Sequence, residues 1–380
     1  MTASLLDRVR TRLVESDGEA TAGRVAAALR AEGLVLGDDA VLDLVRTLRH
    51  DLVGAGPLEP LLRLPGVTDV IVNGPSAVWI DRGAGLERTD VAFASEADVR
   101  RLAQRLATAA GRRLDDASPC VDARLPSGAR LHCVIPPVSA DGTLVSLRIP
   151  AASAFSLADL VERGTVDEVG AAMLRRLIDG RLSFLVTGGT GSGKTTILSA
   201  LLGLVPQSAR IVIVEDSTEL APRHPHAVRL QARTPNVEGA GTITMRDLVR
   251  QALRMRPDRL VVGEVRGAEV VDLLAAMNTG HEGGAGTVHA NSASDVPARL
   301  EALGLTAGMD RFAVHALLGA GLDAVIHLAR RPAGRVIDGI HVLEPDDSGV
   351  VRTIPALTRR GNALRPDVGM DRLVDRLGSG

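Results

Sequence analysis

A single lysine, Lys194, occurs in this 380-residue chain, and it closes the run Gly188-Gly189-Thr190-Gly191-Ser192-Gly193-Lys194-Thr195. The run fits G-x-x-x-x-G-K-[ST], a pattern in which each position meets a physical need. Glycines permit backbone angles that turn successive N–H groups toward phosphate oxygens. A helix opening near Gly193 directs its positive dipole end at the same anion. Lys194 offers a compact charge to the β- and γ-phosphates, and the Thr195 hydroxyl can ligate Mg²⁺. Thr196 continues the nucleotide-binding run. The apolar stretches SFLVTG before the loop and TTILSALLGL after it supply the strand and helix that the motif requires. An unliganded glycine-rich turn is the bland alternative; ATP with Mg²⁺ is the expected ligand.

Hydrolysis needs more than binding: a group that orients water and a carboxylate near Mg²⁺. The stretch RIVIVED ends in Glu215-Asp216, and RLVVGE ends in Glu264. In a parallel sheet the C-terminal ends of strands line one crevice, so both glutamates are expected to face the γ-phosphate from strands flanking the loop strand. Glu264 follows four apolar or glycine residues, the place of a Walker B acid, and is assigned to Mg²⁺ through water. Glu215 is then the candidate for positioning or activating the attacking water, although the two roles can be exchanged. His289 ends the short stretch GTVHA. It reads either as a structural strand-end residue or as a γ-phosphate sensor.

Arginines add a further possibility. Thr244-x-x-Asp247 opens a helix with a capping-box pattern. Met245, Leu248, Val249 and Ala252 form its apolar face, and Arg246, Arg250 and Arg254 fall on another side. A solvated stripe is the plain reading, and arginine fingers reaching a neighbouring subunit are the sharper one. Arg124, Arg130 and Arg148 lie near strands of an upstream region.

Residues 3–52 read as helical segments that end in the breaker-rich GAGPLEP. From Val67, VTDVIVNG, SAVWIDRG and LERTDVAF read as a strand meander. A helix is expected over about 97–110, followed by the strands ARLHCVIPP and TLVSLRIP. The expected division is an N-terminal helical segment (1–56), a small α+β domain (57–150), a linker carrying a short helix (151–165) and an α/β domain with a parallel sheet (166–345). The polar, Arg-rich stretch 346–380 has no assignment.

Hydrophobic residues make up 45% and charged residues 24%, as in a folded domain protein. The net charge of −2 supplies no global field for nucleic acid, and 1% aromatics without tyrosine leaves few stacking platforms. Two cysteines, Cys120 and Cys133, are too few for a zinc knuckle or a disulfide framework. The first 20 residues carry charge throughout and no apolar signal core, so a cytoplasmic location is expected unless a partner holds the chain at a membrane.

Taken in order, GGTGSGKTT, IVIVEDSTEL, RTPNVEG and TMRDLVRQALRMRPDRLVVGEVRGAEVVDLLAAMNTGHEGGAGTVHAN resemble the secretion traffic ATPases of type II and type IV secretion systems. Within these the chain most resembles the CpaF/TadA type of tight-adherence (Flp) pilus assembly. The resemblance covers about Leu58 to Leu343, including GPLEPLL, VTDVIVNG, DARLPSGARLHCVIPP and SLRIP. It implies a RecA-like P-loop ATPase domain preceded by a PAS-like α+β domain. It places the phosphate loop on Gly188 to Thr195, an Asp box on Glu215 and Asp216, a Walker B motif on Gly263 and Glu264, and a His box on His289. It further implies that Arg130 and Arg148 approach phosphate, and that two-domain subunits form a homohexamer with ATP between the domains. The implied work is mechanical, acting through an inner-membrane platform protein on the pilin machinery. Two departures stand out: no four-cysteine zinc module, and extra glycine in GHEGGAGTVHAN before the His box. A same-fold ATPase for DNA conjugation or uptake, and an ATP-binding ring scaffold with slow turnover, are the alternatives.

Overall fold

The computed structural model describes residue 27 and residues 54–83, 85–149, 155–233, 235, 240–280, 282–331 and 334–378. Apart from Ala27 and residues 54–56, the helical segment expected for 1–56 lies outside the described residues. The chain divides into two compact units, Met1–Ala152 and Ser153–Gly380.

The first unit contains β1 (Asp69–Asn73), β2 (Val78–Asp81), β3 (Leu86–Arg88), α1 (Glu96–Ala109), β4 (Cys120–Arg124), β5 (Arg130–Val134) and β6 (Leu144–Arg148). Its six strands run antiparallel in the order β3-β2-β1-β6-β5-β4. Alternate residues point inward, as expected of a sheet covered on one face. Val70, Val72, Ile80, Leu131, Val145 and Leu147 form one core with Val99, Leu102 and Leu106 of α1. Ser95 caps α1 by accepting the N–H of Asp98. Strand β4 is an addition to the sequence reading; only Val121 of its five residues is fully buried, so its apolar pattern is faint.

The second unit opens with α2 (Leu157–Glu162), within the stretch read as a linker, and α3 (Glu168–Asp179). Then come β7 (Phe184–Gly188), α4 (Lys194–Leu202), β8 (Ile211–Glu215), β9 (Ala227–Gln231), α5 (Met245–Leu253), β10 (Arg259–Val262), α6 (Glu269–Met277) and β11 (Ala285–Val288). Helices α7 (Val296–Thr306) and α8 (Arg311–Gly321) precede β12 (Ala324–Arg331), β13 (Gly334–Pro345), β14 (Val351–Arg360), β15 (Ala363–Pro366) and α9 (Met370–Gly378).

All nine strands form one sheet, ordered β15-β14-β13-β12-β7-β11-β10-β8-β9. From β9 to β12 the pairing is parallel; from β12 to β15 it is antiparallel. Helices cover both faces of the parallel part. Phe184, Val186, Ile211 and Ile213 pack with α2, α3 and α4, whereas Leu185, Val212, Val214 and Val262 pack with α5 to α8. Burial on two faces is why β7, β8 and β10 read as continuous apolar runs.

The stretch from 346 that the sequence left unassigned thus continues the main sheet as β14 and β15, ending in α9. Arg359 ties this continuation down. Its buried guanidinium donates to the carbonyls of Ile337 at 2.7 Å, Asn362 at 3.0 Å and Thr165 at 3.2 Å. Among the described residues, no helix is long and apolar enough to cross a membrane.

Candidate active site

Strand β7 is wholly buried and delivers the chain to the phosphate loop at its C-terminal end. Two glycines there are fixed by geometry. Gly188 has φ 147°, and a Cβ on it would stand 2.5 Å from the Leu328 carbonyl oxygen and 2.7 Å from Ser192 Oγ. Gly193 has φ 98° and is the residue from which α4 starts, a left-handed position that costs glycine little. Gly189 and Gly193 are half-buried, and Thr190 and Gly191 form the exposed tip. Ser192 is buried, and its Oγ has no hydrogen-bond partner among the described residues.

Lys194 folds back over the loop, its Nζ donating to the carbonyls of Gly188 and Gly189 at 3.0 Å each. Burial lowers the pKa of this amine; Glu264 and Glu219 oppose the shift, while Arg266 adds to it. Thr195 Oγ1 donates to Glu219 Oε2 at 3.5 Å, and Thr196 is half-buried in the first turn of α4. A loop with three glycines at positive φ, a serine hydroxyl orphaned among the described residues and an ammonium gathered over it has the donors that a polyphosphate requires. Thr195 with the neighbouring carboxylates also offers the hard oxygen donors that suit Mg²⁺.

The two glutamates differ. Glu215 is the last residue of β8 and is 4% exposed. Oε1 accepts the backbone N–H of Glu219 at 3.0 Å and of Leu220 at 2.9 Å, while Oε2 is buried without a partner among the described residues. Burial pushes its pKa up to about 7 against the two amide hydrogen bonds. Gly263 makes room for it, since a Cβ there would lie 2.5 Å from Glu215 Cγ. Glu264 lies two residues beyond β10, is partly exposed, and accepts a 2.5 Å hydrogen bond from the Arg266 guanidinium.

The sheet corrects one expectation. The strands flanking β7 are β11 and β12; β10 is two places from β7 and β8 is three. Glu215 and Glu264 therefore do not stand on strands adjacent to the phosphate loop. Local patterns carry no information about strand order, and a parallel crossover can skip neighbours. It is the half-buried His289, just beyond β11, that follows a strand beside β7.

Several arginines have carboxylate partners. Arg246 and Arg250 both bind Asp272 of α6, at 2.6 and 2.9 Å, which accounts for two of the three stripe arginines on α5. In the first unit, Arg130 grips Asp122 with two hydrogen bonds of 3.1 and 2.7 Å. Arg148 lies 3.4 Å from Asp69, and Arg130 and Arg148 are register partners across β5 and β6. Sequence reasoning missed Glu219 and Arg266. Glu219 carried a signal: it stands four residues beyond Glu215 in EDSTEL, and the turn that returns its N–H to Glu215 also brings its carboxylate to Thr195.

A parallel sheet wrapped by helices, with a phosphate loop after a central strand, defines a P-loop ATPase of the RecA-like α/β class. The family model described as Type II/IV secretion system protein matches residues 51–348, so this chain belongs to that family, the type II/IV secretion ATPases. It is 58% identical over 307 residues to the Mycobacterium tuberculosis (strain CDC 1551 / Oshkosh) protein named "Putative conjugal transfer protein MT3759", covering 79% of this chain and 87% of that one. The "Type IV secretion system protein PtlH" of Bordetella pertussis (strain Tohama I) is 31% identical, with 74% of this chain and 92% of the relative covered. Among solved structures, the Legionella pneumophila ATPase DotB matches with a TM-score of 0.52 and 18% identity over 81% of this chain and 82% of that one. The pilus retraction motor PilT with bound ADP matches with a TM-score of 0.51 and 21% identity, covering 83% of this chain and 84% of PilT. At such identities the structural likeness speaks to the fold alone.

Proposed function

We propose that the chain binds ATP with Mg²⁺ on Gly188–Thr196, hydrolyses it, and works as one subunit of a homohexameric motor of envelope secretion. The observation that carries this reading is the phosphate loop itself, with Lys194 poised over the carbonyls of Gly188 and Gly189. Bound Mg²⁺ neutralises charge developing on the phosphates. Thr195, with Glu264 through water, would hold the metal. Backbone N–H groups of the loop and Lys194 hold and orient the phosphates.

Glu215 takes the proton of the attacking water. A carboxylate with pKa raised to about 7 and an unpartnered Oε2 is matched to proton transfer near neutral pH. Glu264, already engaged by Arg266, suits an electrostatic role better than a proton-accepting one. His289 senses the γ-phosphate from beside the loop strand. Arg130 and Arg148 act on nucleotide in the assembled ring, exchanging their aspartates for phosphate. Hydrolysis changes the relation between the two units and so drives a cytoplasmic motor, peripheral to the membrane, through an inner-membrane platform protein. Assembly of a CpaF/TadA-type Flp pilus is the cargo process that the sequence resemblance favours.

A second reading, conjugal DNA transfer, is favoured by the name of the Mycobacterium tuberculosis relative, a putative conjugal transfer protein. The net charge of −2 and 1% aromatics weigh against direct contact with the nucleic acid. Steady-state phosphate release by the assembled protein tests the motor. We expect Glu264→Gln to slow release at least tenfold; equal, slow release by wild type and variant would point to an ATP-binding scaffold. Loss of surface pili, against loss of plasmid transfer, in a deletion strain separates the two cargo processes.

A further inference from the structure

The acids reach the phosphate loop from one side, and an arginine borders it from the other. β12 is the neighbour of β7 on the side away from β11, β10 and β8, and β13 returns antiparallel along it. In this hairpin Arg331 stands opposite Gly334 and Arg330 opposite Arg335. Arg331 is tied to Asp338. Arg335 is exposed, and among the described residues its guanidinium has neither an ion-pair nor a hydrogen-bond partner. Its stem is nevertheless placed. Arg335 Cδ lies 3.4 Å from where a Cβ on Gly193 would sit, with Leu328 Cδ2 at 3.9 Å from the same point. Gly193 immediately precedes Lys194 and starts α4.

An exposed arginine whose stem merely covers apolar surface is a common arrangement. Here the stem lies instead beside the last glycine of a phosphate loop, and among the described residues no carboxylate occupies the guanidinium. Its position along the nucleotide follows from the polarity of the site. Lys194 and Thr195 mark the β- and γ-phosphate and Mg²⁺ end, and Glu219 and Glu264 gather on that same side. The β12–β13 side therefore faces the α-phosphate. Arginine suits that oxygen group because its planar fork can donate two parallel hydrogen bonds.

We propose that Arg335 is a nucleotide-positioning residue that binds the α-phosphate from within the same subunit. The assignment rests on the ATP-binding reading above and adds a second cation to the loop, one that does not depend on a neighbouring subunit. ADP and ATP both carry the α-phosphate, so the contact is ground-state binding shared by substrate and product, with little share in the chemical step.

The test is ADP binding by isothermal titration, together with ATP turnover, for the full chain and for Arg335→Ala and Arg335→Lys. Arg335→Ala is expected to weaken ADP binding and raise KM for ATP by about tenfold each, the scale of one charge-assisted hydrogen bond. Saturated kcat should remain within about twofold, and the nucleotide-free melting temperature should not move. Arg335→Lys should recover part of the affinity, since it restores charge without the fork. Unchanged ADP affinity overturns the assignment. So does a fall in kcat at unchanged ADP affinity, which would make Arg335 a γ-phosphate group instead. Lys194→Ala serves as the reference: if wild type binds ADP no better than that variant, the ATP-binding reading itself fails.

Discussion

The two units of this chain handle charge in opposite ways. In the antiparallel unit, Arg130 and Arg148 sit on surface strands with Asp122 and Asp69, and each pair remains open to solvent. In the parallel unit, Glu215 is sealed at the end of a buried strand with one oxygen orphaned, and Lys194 is half-buried against carbonyls. The first kind of arrangement stabilises little, about 0–1 kcal/mol per exposed pair. The second costs stability in order to hold groups at unusual proton affinities. On the proposed function, the groups that act on nucleotide from the parallel sheet are the ones held at unusual proton affinities, and the arginines that would change partners stand in pairs that are easily broken.

The largest test of this contrast falls on Lys194. Lys194→Arg puts a planar guanidinium where two carbonyls hold a compact ammonium, so ATP affinity should fall at least a hundredfold by titration calorimetry. Near wild-type affinity would remove the basis for treating the loop as shaped around lysine.

Glu215 comes next, through its pH dependence. A base must be deprotonated, so turnover should rise as pH climbs through about 7, and Glu215→Gln should abolish that limb and slow hydrolysis at least a hundredfold. Stability should move the other way. The folded pKa of about 7 lies above the ordinary glutamate value of 4.5, so the folded state favours the protonated acid. The resulting penalty is absent below about 4.5, grows as pH rises, and is complete above about 7. Its full size is on the order of 3 kcal/mol for a shift of that extent. Glu215→Gln should then melt higher than wild type at pH 8 and nearly level with it at pH 4.5. A variant that melts lower at pH 8 would show that the carboxylate is stabilising, contrary to its burial.

The smallest expected effect on folding belongs to Arg148→Ala, which should cost under about 1 kcal/mol in chemical denaturation. Its effect on turnover should appear only in rings. Mixing Arg148→Ala with Lys194→Ala subunits should recover activity if the arginine serves a neighbour's site; strictly additive loss would confine it to its own subunit.

Much of this arrangement was legible in the sequence because it is local. The phosphate loop is contiguous, and β7, β8 and β10 announce themselves as apolar runs since both of their faces are covered. What local patterns hide is the order of strands. Glu215 and Glu264 looked like neighbours of the loop strand, yet β11 intervenes. Strand β9, with its partly exposed pattern, gave little periodic signal, and Arg335 could not be placed beside Gly193 before the β12–β13 register was known. The C-terminal strands escaped for a similar reason: Arg359 and its neighbours lie in a polar, Arg-rich stretch that received no assignment, although that guanidinium is buried under three carbonyls.

The lysine that sits over the phosphate loop is also the chain's whole supply of side-chain amines. Burial keeps that amine easier to deprotonate than an ordinary lysine, and hence more nucleophilic at neutral pH. An acylating reagent or acetyl donor that spares the terminus has a single side-chain amine to modify in this molecule, and that amine belongs to the phosphate loop. Covalent amine chemistry on this protein is therefore a readout of whether its nucleotide site is open.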